Sequence, residues 1–119
     1  MKLTSPLARS SKNTLMRTFK TSFFAVLVCA SASSWASREL ASSKNCLSCH
    51  AAEKKIIGPS IKAIADKYNG ADAAKVSALA KKVREGGVGV WGAIPMSANP
   101  QLNEAESETL VKWFIAGGK

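Results

Sequence analysis

Apolar residues recur at helical spacing through the second half of the chain. Ile61, Ile64, Ala65 and Tyr68 stand at i, i+3, i+4 and i+7, which predicts a short helix over 61–68. Val76, Leu79, Ala80 and Val83 make a second such stripe. Asp72 is a good N-cap for it, and Gly86-Gly87 stop it. A last helix opens at Asn103, with Glu106 three residues on as in a capping box. Its inner face carries Leu110 with Trp113 or Phe114, and Gly117-Gly118 follow it. A first helix is expected from about Glu39 to Cys49. No stretch of any length alternates as a strand does, and no repeat or low-complexity tract follows the N-terminal segment. Between the last two helices lies GGVGVWGAIPMSANPQL, an irregular stretch expected to be functional or wrapped around something. The pattern predicts an all-α domain of about four short helices.

The N-terminus does not fit that domain. Residues 1–20 carry Lys2, Arg9, Lys12, Arg17 and Lys20 and no acid. An apolar run, FFAVLVCA (Phe23–Ala30), and the small residues SASSWAS follow. Positive, apolar, then small is the order of a secretory signal. Ser34-Trp35-Ala36 fits a cleavage site before Ser37, with Ala30-Ser31-Ala32 as second choice. The chain is therefore read as a cleaved signal peptide, 1–36, and a domain, 37–119, exported to the periplasm. The apolar run falls short of the roughly 20 residues that span a bilayer, so an uncleaved anchor is the weaker reading. Val28 ahead of Cys29 disfavours a lipoprotein.

Removing the leader changes the charge. All eight acids but only twelve of the seventeen bases lie beyond residue 36, which takes the net charge from +9 to +4. Nucleic-acid binding argued from high charge loses its basis. A charge of +4 suits steering towards an acidic partner. Cys46 and Cys49 become the only cysteines, Met96 the only methionine, and His50 is the only histidine of the whole chain. The remaining 83 residues give a core that is marginal without a staple.

The candidate chemistry is in KNCLSCH, residues 44–50. On a helix Cys46, Cys49 and His50 share a face. Two thiols can then add to two vinyl groups on one edge of a haem, with the imidazole beneath the iron. Cys-x-x-Cys-His is the attachment signature of c-type haem. A structural zinc site needs four ligands, and the mature chain has no second cysteine pair. A thioredoxin-like dithiol wants a βαβ context. A structural disulfide closing so short a loop stabilises little. Covalent haem accounts best for the three residues, and it gives the long loop a role at the second axial position of the iron. Met96, in IPMSAN behind the φ-locked Pro95, is the candidate there. A thioether is a soft ligand, and His/Met ligation raises the reduction potential.

CLSCH, GPS (Gly58–Ser60), GVWGAIPMSAN (Gly89–Asn99) and LVKWFIA (Leu110–Ala116) together resemble the short bacterial class I cytochromes c, in particular the cytochrome c-551 (cytochrome c8) group. The resemblance covers nearly all of residues 37–119. It implies a compact class I cytochrome c fold around one covalently bound haem whose edge is exposed. It implies thioethers at Cys46 and Cys49, axial ligands His50 and Met96, and the carbonyl of Pro59 as acceptor for His50 Nδ1–H. It further implies Trp91 bonded to a haem propionate, Asn99 with its amide near the methionine sulfur, Lys82 as a basic residue near the propionates, and Trp113 as core packing. Where that family has Pro-Pro after the methionine, this chain has Ser97-Ala98, which leaves the loop edge less rigid.

The function this implies is a monomeric one-electron carrier, not an enzyme. Its partners would be an upstream cytochrome complex and a downstream nitrite reductase, oxidase or peroxidase, or a photosynthetic reaction centre. Lys44, Lys54, Lys55, Lys81 and Lys82 are candidates to ring the haem edge. The alternative is a haem enzyme or gas sensor with a labile sixth ligand, which Ser97-Ala98 favours. A haem subunit of a larger enzyme is a further alternative.

Overall fold

The computed structural model describes residues 28–119, with side chains described from Ser34 onward. Lys2, Arg9, Lys12, Arg17, Lys20 and the start of the apolar run lie outside the described residues. The elements in order are α1 (Val28–Ser43), a 3-10 turn (Cys46–Ser48), α2 (Ile61–Tyr68), α3 (Ala73–Glu85), β1 (Gly87–Gly89), β2 (Gly92–Met96) and α4 (Glu104–Ile115). The architecture is that of a small all-α domain carrying one two-stranded hairpin.

Caps written into the sequence set the ends of the later helices. The Ser60 hydroxyl accepts the Ala63 N–H at 3.1 Å at the start of α2, and Asp72 accepts the Lys75 N–H at 2.8 Å at the start of α3. Both leave fewer unsatisfied donors in the first turn. At α4 the capping box is complete. Asn103 accepts the Glu106 N–H at 2.8 Å, and Glu106 accepts the Asn103 N–H at 3.0 Å. The same helix ends in a Schellman motif: Gly118 N–H reaches Trp113 O at 2.9 Å and Gly117 N–H reaches Phe114 O at 3.0 Å. Gly117, at φ 81°, supplies the left-handed step.

Helix α4 packs against α1, α2 and α3 and is therefore the centre of the fold. Its face holds two apolar groups. Leu110, Trp113 and Phe114 meet Ala41, Ile61 and Leu102, while Val111 meets Val76 and Ala80 of α3. Leu110 is almost fully enclosed, so Leu→Ala there removes about 2–5 kcal/mol. The indole N–H of Trp113 is buried with no hydrogen-bond partner among the described residues. The ring is nonetheless well packed, within the Leu110 and Ile61 cluster and edge to face on Phe114 at 5.2 Å.

Two expectations need correcting. The first helix does not run from Glu39 to Cys49. It ends at Ser43, Asn45 adopts a left-handed conformation at φ 60°, and a separate 3-10 turn follows. Asn is among the few residues that enter that conformation readily, and one such residue breaks a helix. The long stretch after α3 is not strandless. β1 and β2 pair antiparallel, Gly89 opposite Gly92 and Gly87 opposite Met96, with an irregularity between. Every residue of both strands is exposed, so no period-two burial pattern marks them. Pro95 sits in this two-stranded ribbon, where a missing N–H is tolerated.

Helix α1 runs unbroken through the expected cleavage point between Ala36 and Ser37. Trp35 projects into solvent, whereas Ser37 and Ala41, one turn apart, are buried.

Candidate functional site

The 3-10 turn, the 51–60 loop, α2, α3, the hairpin and α4 enclose one cleft of about 390 Å³. Cys46, Cys49 and His50 all line it. They come together through a tight turn and not through a continuous helix: the N–H groups of Cys49 and His50 both bond to Cys46 O, at 3.2 and 3.0 Å. Both thiols are free. Burial pushes the Cys46 thiol above its ordinary pKa, and the neighbouring Cys49 adds to that rise. Among the described residues no three His, Cys, Asp or Glu side chains cluster as a metal-binding group.

His50 is buried and held from three directions. Its Nδ1 stands 2.8 Å from Pro59 O, so Nδ1–H donates to that carbonyl and Nε2 is left as the free lone pair. A hydrogen bond of this kind fixes ring orientation and strengthens the other nitrogen as a donor. Gly58 lies flat against the ring, where a Cβ would stand 2.6 Å from Cε1 and 2.9 Å from Nδ1. The ring of Phe114 meets the imidazole edge to face at 5.5 Å. The 51–57 loop folds back so that Gly58 N–H bonds to Cys49 O at 2.9 Å.

Met96 is the last residue of β2 and lines the same cleft. The backbone that follows it crosses directly over Gly86. A Cβ on that glycine would meet Met96 O at 2.6 Å and Ala98 N at 2.7 Å. Asn99 ties the far side of the crossing. Its amide donates to Val83 O at 3.1 Å and to Ser97 O at 3.0 Å, and its N–H donates to Arg84 O at 2.9 Å. Both hydrogens of the Asn99 amide thus go to carbonyls, one of helix α3 and one of the loop.

Trp91 lies at the mouth of the cleft, in the turn between β1 and β2. It packs edge to face on Tyr68 at 6.2 Å, and Lys67 Nζ sits 5.2 Å over its ring. Partial burial raises the Tyr68 pKa. Lys82 also lines the cleft and lies over Gly87. Lys55 and Lys44 line it too, but Lys44 is paired with Glu106 at 3.3 Å, and Lys81 with Glu85 at 3.8 Å. Two of the five expected steering lysines are therefore partly neutralised. Lys67, which the sequence pattern did not single out, stands on the aromatic rim.

Val88, Val90, Ile94 and Met96 are large apolar residues of the hairpin left exposed, and all line the cleft. A flat apolar prosthetic group is what such a surface would cover. The donor set fits a c-type haem: two adjacent free thiols, an imidazole with its Nε2 available, and a thioether in one cleft.

The family model described as Cytochrome c matches residues 36–115. Cytochrome c-551 of Azotobacter vinelandii is 46% identical over 77 residues, which is 65% of this chain and 92% of that protein. Cytochrome c-552 of Nitrosomonas europaea is 41% identical over 80 residues, 67% of this chain and 77% of that protein. The crystal structure of wild-type Nitrosomonas europaea cytochrome c552 superposes with a TM-score of 0.61 at 40% identity, covering 66% of this chain and 96% of that one.

Proposed function

The chain belongs to the cytochrome c family and is an electron carrier with one covalently attached haem c, and from that premise we propose that it works in the periplasm with His50 and Met96 as its axial ligands. The observation that carries this reading is that Cys46, Cys49, His50 and Met96 line a single cleft. A haem c bound there supplies an iron that gains or loses one electron.

The protein residues do the rest. Cys46 and Cys49 hold the haem through thioethers. His50 presents Nε2, with its ring held by Pro59, Gly58 and Phe114. Met96 would offer its thioether as the second protein ligand of the iron, a pairing with histidine that favours a raised potential. With His50 and Met96 both committed to the iron, the chain would leave no open position there for a substrate. Trp91 and Lys82, at the cleft, suit hydrogen bonding and charge compensation of the propionates. A haem c held there would exchange its electron in brief encounters with acidic redox partners, an upstream cytochrome complex and a downstream nitrite reductase, oxidase or peroxidase. Lys55 and Lys82 steer that encounter. The carrier is read as a monomer.

What supports export is the order of residues 1–36 together with the position of Ser37, the first buried residue among the described side chains of α1, next to the exposed Trp35 and Ala36. No helix among the described residues is long and apolar enough to cross a membrane. Mass and redox titration of the exported protein test the proposal. A soluble chain starting at Ser37, carrying one haem and cycling reversibly without rapid carbon monoxide binding, is the expected result. A membrane-retained chain that keeps residues 1–36, or full and rapid carbon monoxide binding to the reduced protein, would overturn it.

A further inference from the structure

Arg84 leaves the last turn of α3 towards α4. Its Nη1 donates to Ser107 Oγ at 2.6 Å, and Ser107 is fully buried. A hydroxyl has one hydrogen and two lone pairs. The Ser107 hydrogen stays within its own helix, where Asn103 O and Glu104 O lie 2.9 and 2.8 Å away. The oxygen is then left as acceptor for the guanidinium, a charge-assisted bond of the strong class.

The backbone of the same segment receives the methionine loop. Arg84 O accepts Asn99 N–H, and Val83 O accepts the Asn99 amide. Ser97 and Ala98, between Met96 and Asn99, have no ring to lock φ as Pro95 does. Beyond the pairing of Met96 with Gly87 and the crossing over Gly86, this stretch is tied down through Asn99 and through what holds the carbonyls beneath it. We infer that Arg84 is a positioning residue for Met96. Pinned to α4 by Ser107, it fixes the two carbonyls on which Asn99 docks, and so restrains the opening of the loop that carries Met96. The inference rests on Met96 being an iron ligand as proposed above.

The test uses the ferric holoprotein and cyanide, which must displace Met96 to bind. At saturating cyanide the observed rate reports loop opening. Ser107→Ala and Arg84→Met are each expected to raise that rate about tenfold, the loss of one charge-assisted hydrogen bond. The double variant should be no faster than either single one, because both remove the same bond. Val76→Ala is the control. It weakens the α3–α4 contact but does not line the cleft, and should lower the denaturation midpoint without raising the rate. Unchanged rates in both single variants, an equal acceleration in Val76→Ala, or multiplicative effects in the double variant would each overturn the inference. A wild-type ferric protein lacking the long-wavelength methionine–iron band would overturn the Met96 reading and this inference with it. The band present with an unchanged Ser107→Ala rate overturns this inference alone.

Discussion

Gly86 offers a sharp test of how the methionine loop is seated. It closes α3 at φ 74° and ψ −169°, a region reserved almost wholly for glycine and costing any other residue about 1–3 kcal/mol. A Cβ at this position would also stand 2.6 Å from Met96 O, 2.7 Å from Ala98 N and 3.0 Å from the Ser97 carbonyl carbon. All three are backbone atoms of the loop, so none can turn away as a side-chain tip would. Overpacking of this kind costs about 1–3 kcal/mol more, which puts Gly86→Ala at about 2–6 kcal/mol. Gly70 is the matched comparison. It has the same φ of 74° but nothing within 4 Å of the added carbon, so Gly70→Ala carries only the backbone cost of about 1–2 kcal/mol. Urea denaturation followed by far-UV circular dichroism gives the two costs, and the methionine–iron band of the ferric protein reports where the strain goes. Gly86→Ala should lose more stability than Gly70→Ala and should weaken the band, while Gly70→Ala keeps it. Equal stabilities within about 0.5 kcal/mol, with a full band in both variants, would refute the reasoning.

Gly58→Ala drives a methyl into the His50 ring, which its bond to Pro59 prevents from moving freely. It should cost about 1–3 kcal/mol and shift the reduction potential; a wild-type potential with wild-type stability would contradict the close packing. Glu106 is held below its ordinary carboxylate pKa by the N–H of Asn103 and then by Lys44. A depressed carboxylate stabilises the fold above its unfolded pKa and loses that contribution as pH falls through its folded one. The denaturation midpoint should thus fall on acidification through the carboxylate range, and Glu106→Gln should flatten this slope; an identical slope would exclude the role. Oxidation of the reduced protein by ferricyanide, a multivalent anion, should slow as salt rises. Lys55→Gln and Lys82→Gln should lower both the rate and its salt dependence, and the same change at the ion-paired Lys44 and Lys81 should matter less; four equal effects would remove steering by the cleft lysines.

How much of this was legible depends on how local each signal is. Asp72 and Asn103-Glu106 announce α3 and α4 within four residues, because a cap is a bond between near neighbours, and the bonds are there. The cysteine and histidine spacing is legible for the same reason, since one short turn brings all three to one cleft. Asn45 was not legible as a helix break, because the apolar pattern runs on through it while one left-handed φ ends the helix. The hairpin escaped notice because its strands are glycine-rich and exposed on both faces, and alternation marks a strand only when one face is buried. The bond from Arg84 to Ser107 spans 23 residues and has no local pattern of its own. One clue existed: Ser107 precedes Leu110, Val111 and Phe114 at i+3, i+4 and i+7, a small polar residue on a core stripe. The spacing in α4 leaves Trp113 and Phe114 as equal candidates for the inner face, and the place of Phe114 against His50 follows only from the way α4 crosses the cleft.

The most direct test of the central claim is the visible spectrum of the ferric holoprotein, wild type beside Met96→Ala, both produced in a host that attaches c-type haem. His50 and Met96 ligation predicts covalent low-spin haem with the weak long-wavelength methionine–iron band in the wild type, and loss of that band in Met96→Ala with the haem still attached. A wild-type protein without the band, or a band that survives Met96→Ala, would contradict it.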